Sequence, residues 1–166
     1  MRTLIELIEG LSERENAVVW MHFAADGLRK FSYEELAGQS RRLGNGLIDL
    51  GVSKGQALAL LADPSFEWLV VCLAAIRAGA MAMPLDVQMG SDALEGILDD
   101  SQAQIVFTNE DHLEQLRSVK QADQLTVVLM DSDGDGHSRL QDHLSDADRI
   151  VPSLGPDDPA ALFYTS

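Results

Sequence analysis

Between Gln56 and Met130 the sequence keeps switching between short apolar runs and helical stripes, and this alternation leaves few folds open to the chain. "QALALLA" reads as a buried strand, and Asp63-Pro64 as the cap of a helix that runs through Phe66, Trp68, Val71 and Ile76 and stops at Gly79. "AMAMPL" is a second short strand. Ser91 opens a helix containing Leu94, Ile97 and Leu98, "AQIVFT" follows as a strand, and a helix near 111–119 leads into the strand "QLTVVLM". Strands separated by helices of this length need crossover connections, which are right-handed. The pattern therefore predicts an α/β fold with a mainly parallel sheet covered by helices on both faces.

The flanking segments read differently. "TLIELIEGL" puts Leu4, Leu7, Ile8 and Leu11 on one helical face, and "AVVWMHF" with "ADGLRKFSY" predicts a β-hairpin turned at Asp26-Gly27. Ser32 and Glu35 have capping-box spacing, Leu36, Leu43 and Leu47 form a stripe, and Gly51 supplies a left-handed stop, so a helix is predicted over 33–50. The Asp, Ser and Gly-rich stretch 131–148 predicts an exposed connection. Residues 150–160 read as a turn-rich linker into a terminal strand, "AALFYT". With 166 residues, the whole chain is expected to form a single domain.

Several functions are disfavoured by composition. Acidic residues outnumber basic ones 27 to 12, a net charge of -15, and such a surface repels nucleic acid and anionic lipid. The longest apolar stretch, 68–85, is broken by Arg77 and closed by Pro84, and the N-terminus lacks the apolar core and cleavage site of a secretory leader. The expectation is a cytoplasmic protein without a transmembrane segment. Cys72, the one cysteine, lies in "WLVVCLAAI" and reads as a buried, inert thiol.

Local motifs add little chemistry. In "DSDGDGHSRLQD", Asp131, Asp133, Asp135, Gly136 and Asp142 fall on positions of a calcium loop, but the last ligand lacks the reach of Glu, Ser138 replaces an apolar residue, and a strand precedes the loop. A solvated acidic turn is the better reading. His22, His112, His137 and His143 lack the spacing of a zinc site, so no metal ligand is assigned. Gly44 and Gly46 fall inside the predicted helix, where close packing explains them better than a dinucleotide fingerprint.

Four stretches taken in order are more specific. "FSYEELAGQSRRLGNGLIDLGVSKG", "EWLVVCLAAIRAGAMAMPLD", "LDDSQAQIVFT" and "DDPAALFYTS" resemble, in order and interval, segments of the adenylate-forming (AMP-binding) superfamily, which includes acyl-CoA synthetases, nonribosomal adenylation domains and luciferases. The resemblance covers about 20–166. It implies the N-terminal subdomain of the acyl-CoA synthetase-like fold, roughly a third of a larger enzyme. In the family, the closing strand runs into a Gly/Thr/Ser-rich loop ending in Lys that holds the phosphates of ATP. Thr165 and Ser166 match the first residues of that loop, and the resemblance assigns them as an incomplete ATP-phosphate site, with no catalytic residue in this chain.

The implied activity is ATP-dependent acid–thiol ligation, with ATP, Mg2+ and coenzyme A as cofactors of the parent enzyme and none expected on this piece alone. Gly90-Ser91-Asp92 stands where nonribosomal adenylation domains usually carry a Pro-x-x-Arg turn, which tilts the resemblance toward acyl-CoA synthetases and a fatty acid substrate. Gln56 and Asp63 depart from the family's usual Asp and Asn. The alternative from another class is a stand-alone, non-catalytic binding or regulatory module with the same fold. An open sheet edge and uncovered apolar surface are expected to favour homodimers.

Overall fold

The structure, a computed structural model, describes residues 3–24, 27–131 and 137–165. Helix α1 (Leu4–Glu9) begins at a capping box in which the Thr3 hydroxyl accepts from the Glu6 backbone and the Glu6 carboxylate accepts from Thr3 N-H. After one and a half turns the backbone tightens into a 3-10 segment (Gly10–Arg14), whose three-residue period breaks the expected stripe. Ile8 is buried, and Leu11 packs on the core, but Leu4 and Leu7 are exposed.

Strands β1 (Val18–Ala24) and β2 (Gly27–Ser32) form the expected antiparallel hairpin, pairing Trp20 with Phe31 and His22 with Arg29. Ser32 then turns the chain into α2 (Tyr33–Asp49). Its hydroxyl accepts from Glu35 N-H at 3.1 Å while the Glu35 carboxylate accepts from Ser32 N-H at 2.6 Å. Gly44 and Gly46 each cost this helix about 1 kcal/mol relative to Ala. Burial of Leu36, Leu43 and Leu47 contributes about 2 kcal/mol per side chain and outweighs that cost. The glycines are there for clearance: a Cβ on Gly46 would sit 1.7 Å from the carbonyl oxygen of His143, and one on Gly44 would sit 3.1 Å from Cδ of Arg77.

The main sheet has the order β4-β3-β5-β6-β7, with every neighbouring pair parallel. Strand β3 (Ala57–Leu61) lies between β4 (Met81–Pro84) and β5 (Ile105–Thr108), and all of its residues are buried. Leu58 and Leu60 pack with Phe107 and Val128 under α2 and α3 (Phe66–Arg77). Ala57, Ala59 and Leu61 point the other way and pack with Met83 and Val106 under α4 (Ser91–Ser101) and α5 (Leu113–Arg117). Two cores on the two faces of one sheet are the consequence of that alternation. Gly51 and Gly79, at φ +80° and +81°, end α2 and α3 as the sequence predicts.

Four expectations need correction. The cap of α3 is Ser65, whose Oγ accepts from Trp68 N-H at 3.0 Å; Asp63 instead pairs with His112 at 3.5 Å. Pro64 keeps the preceding residue extended and so shifts the helix start onward. The predicted helix 111–119 is a 3-10 turn (Glu110–His112) followed by the short α5, whereas Ser91 opens α4 as the sequence predicts. The connection 131–148 is not wholly exposed: Ser138–Arg139 forms β7 beside β6 (Thr126–Leu129), and Leu140 is buried in the core.

The fourth correction concerns the C-terminus. "AALFYT" makes a single parallel bridge, Ala161 to Ala82, rather than a full strand. Ala82 N-H donates to Ala160 O and Leu162 N-H donates to Ala82 O, both at 3.0 Å. The next donor on that side of β4 belongs to residue 84, a proline, which has no N-H, so the ladder ends there. Because Met81 N-H donates to Gln56 O, just before β3, and Leu85 N-H donates to Leu60 O in it, the inner side of β4 does not feel this loss.

Replacing Gly46 by Ala should destabilise the chain by about 2–3 kcal/mol, because the backbone of His143 must move. Gly38→Ala in the same helix, where a Cβ meets nothing within 4 Å, should stabilise by up to about 1 kcal/mol. Urea unfolding of the two variants checks the contrast; equal effects would contradict the close-packing role of Gly46.

Candidate functional site at the carboxyl ends of the strands

Parallel pairing brings the carboxyl ends of all five strands to one edge of the sheet. After β3 the chain crosses to β4 on one side, and after β4 it returns to β5 on the other, so the β3/β5 boundary is the point at which the winding reverses. In open α/β sheets such a boundary leaves a crevice. Thr108 ties the two strands there, its hydroxyl donating to Leu61 O at 2.7 Å.

A cavity of about 620 Å³ opens at this boundary, walled by Trp20, His22, Arg29 and Phe31 of the hairpin and by Ser65 and Asn109 from the strand ends. Phe31 stacks on Phe66 with ring centroids 4.1 Å apart, which fixes the hairpin against the start of α3. Asp63, Glu67 and Asp131 also line the cavity, so the positive charge of Arg29 is matched by carboxylates. The Oδ1 atom of Asn109 is buried without a hydrogen-bond partner, and Asp131 accepts from Glu110 N-H at 3.3 Å.

The resemblance assigns Thr165 and Ser166 to ATP. Thr165 is exposed and does not line the cavity; Ser166 lies outside the described residues. The segment leading to Thr165 is held at three places. Lys54 Nζ donates to Ser153 O at 2.9 Å and to Asp158 Oδ2 at 2.7 Å, and the same carboxylate oxygen accepts from Gly155 N-H at 2.7 Å. The Ala82–Ala161 bridge comes next. Leu162 and Tyr164 then pack on the α4 side of the sheet, where the Tyr164 hydroxyl donates to Asp100 Oδ2 at 2.7 Å. The hydrogen bond from Lys54, reinforced by Gly155, holds the Asp158 carboxyl below its ordinary value of 3.8.

Other candidates take structural roles. Burial pushes the Cys72 thiol up to about 12, far from a nucleophile's range. Among the described residues no group of three or more His, Cys, Asp or Glu side chains could hold a metal ion. Of the calcium-loop positions, Asp133, Asp135 and Gly136 lie outside the described residues, and Asp142 is engaged by Arg139, which holds its carboxyl low. Gly44 and Gly46 serve helix packing, as their position in the sequence predicts. No described helix is long and apolar enough to cross a membrane. The Lys54 and Asp100 contacts escape sequence reasoning because each joins residues more than sixty positions apart.

This arrangement agrees with what comparison with known proteins finds. Residues 11–166 match the AMP-binding enzyme family, and the chain belongs to that family. It is 35% identical over 155 residues to the L-proline--[L-prolyl-carrier protein] ligase of Pseudomonas fluorescens, covering 92% of this chain and 29% of the ligase. It is 29% identical over 165 residues to tyrocidine synthase 3 of Brevibacillus parabrevis, covering 99% of this chain and 2% of the synthase. Among solved structures, an acyl-CoA synthetase of Brucella canis superposes with a TM-score of 0.77 at 28% identity, over 92% of this chain and 29% of that one. The chain therefore spans less than a third of each of these relatives.

The Lys54–Asp158 clip should be pH-dependent. A carboxyl lowered by folding contributes stability that is fully present above 3.8 and is lost as pH falls through its lower native value. Amide exchange over 155–162, taken relative to the intrinsic rate at each pH, should be slow at pH 5 and accelerate below about 3.8. In Lys54→Met the acceleration should already be present at pH 5. The same step in both proteins would contradict the clip.

Proposed function

We propose that this chain is the N-terminal part of an ATP-dependent acid–thiol ligase of the acyl-CoA synthetase type, inactive by itself. The observation that carries this reading is the family match together with the course of 160–165, which bridges the edge of β4 at Ala82 and runs parallel to it toward Thr165. Thr165, with Ser166 after it, opens the phosphate-binding turn; its hydroxyl is free to reach a phosphate oxygen because the side chain is exposed.

In the proposed reaction a carboxylate oxygen attacks the α-phosphorus of ATP. The bond to pyrophosphate breaks, and pyrophosphate carries the electron pair away. A thiol sulfur then attacks the acyl carbon and loses its proton, and AMP leaves with the bonding pair. Mg2+ supplies charge neutralisation in phosphoryl chemistry. The described residues offer no set of ligands for it, so no step here is assigned to a metal. This chain's own contribution is architectural: the sheet, the clip at Lys54 and the packed segment hold the start of the turn in place.

The absence of a Pro-x-x-Arg turn at Gly90-Ser91-Asp92 supports a fatty acid as substrate and coenzyme A as acceptor. A second reading, amino acid activation for a carrier-protein thiol, is favoured by the 35% identity to the prolyl-carrier ligase. A cytoplasmic enzyme goes with either reading.

The protein translated from the whole reading frame that contains these residues should catalyse acid-dependent exchange of pyrophosphate into ATP, and residues 1–166 alone should not. Fatty acids should support exchange in preference to amino acids, with coenzyme A as the thiol that releases AMP. Exchange with proline or another amino acid only would select the second reading. A stop codon directly after Ser166, with ATP binding unaccompanied by exchange, would instead support the stand-alone module.

A further inference from the structure

The terminal segment has an unusual problem. It must be fixed at its far end, next to Thr165, yet the sheet stops holding it at Leu162, because residue 84 has no N-H to donate. An unpaired chain end frays, and a frayed end cannot aim a binding turn. Two residues past the last ladder bond, Tyr164 points to the same side as Leu162 and packs with it on the α4 layer, while Phe163 between them is exposed. The Tyr164 phenol reaches Asp100 Oδ2 at 2.7 Å.

We propose that Tyr164 and Asp100 are the positioning pair of the phosphate-binding turn: a side-chain peg on α4 that replaces the ladder hydrogen bond lost at Pro84 and sets the direction in which the chain leaves the sheet at Thr165. The inference rests on the reading of Thr165 and Ser166 as the start of that turn. Neither residue of the pair touches substrate; both act through the backbone of Thr165.

The geometry favours a peg over an incidental surface contact. Asp100 sits in the last turn of α4, whose neighbours Leu94 and Leu98 are buried against the sheet, so its carboxylate is carried on a fixed element. The Tyr164 ring is half-buried, with its body against apolar side chains and its tip on the carboxylate. An acceptor with a full negative charge makes the hydrogen bond stronger than a neutral one. In agreement, the Asp100 contact raises the Tyr164 phenol above its ordinary value, with a smaller opposing contribution from Ser101. The Lys54 clip fixes where the segment starts, and the peg fixes where it ends.

The test uses the enzyme of the whole reading frame and, alongside it, residues 1–166. In the enzyme, Tyr164→Phe and Asp100→Ala should each raise KM for ATP by roughly five- to tenfold while KM for the acid and Tm stay within error. Asp100→Asn, which keeps an acceptor oxygen, should recover most of the loss. In residues 1–166, Tyr164→Phe should speed amide exchange at Leu162, the last bonded amide of the segment, and leave Met81 and Leu85 unchanged. Unchanged KM for ATP, or equal changes in both KM values with a lowered Tm, would overturn the pair as a positioning device. If the wild-type enzyme shows no acid-dependent exchange, the ligase reading fails instead, and the amide exchange at Leu162 decides the peg: unaltered rates in Tyr164→Phe would overturn it.

Discussion

Everything in this fold leans on the burial of β3 from both sides. Its five residues alternate Leu58 and Leu60 toward one helix layer with Ala57, Ala59 and Leu61 toward the other, and none of them reaches solvent. A strand in that position cannot slip by one residue without exchanging its two faces, so the register of β4 and β5 on either side follows from it. The carboxyl edge, where the cavity lies, inherits its geometry from this strand.

The outer elements are attached to that centre by polar contacts of long sequence separation. Lys54, at the turn before β3, holds the linker through Asp158, and Arg149 bonds Asp49 at the end of α2. These contacts are exposed, and each contributes little on its own to stability. Their value is positional. They hold a segment with no helix or strand of its own along the edge of the sheet.

Much of this was readable from residue order. The capping box at Ser32 and Glu35, the stop at Gly51 and the apolar runs of β3, β5 and β6 are local signals, and the structure has them where periodicity predicts. The misses have physical causes. Ser65 outcompetes Asp63 as the cap because Pro64 delays the helix, and β7 is too short to show a period. The terminal strand shrinks to one bridge because a proline sits on its partner, a fact visible only once the pairing of β4 is known. The family motifs point to Thr165 and Ser166, but not to the cavity at the β3/β5 boundary or the contact of Tyr164 with Asp100, which depend on tertiary proximity.

The central claim is that the last described residues lead into a turn that grips ATP. A crystal structure of the full reading-frame protein with ATP bound tests it most directly. The account predicts β- or γ-phosphate oxygens within about 3.2 Å of the hydroxyls or N-H groups of Thr165 and Ser166, with Tyr164 still on Asp100. A nucleotide bound away from that turn, with 160–165 detached from β4, would contradict it.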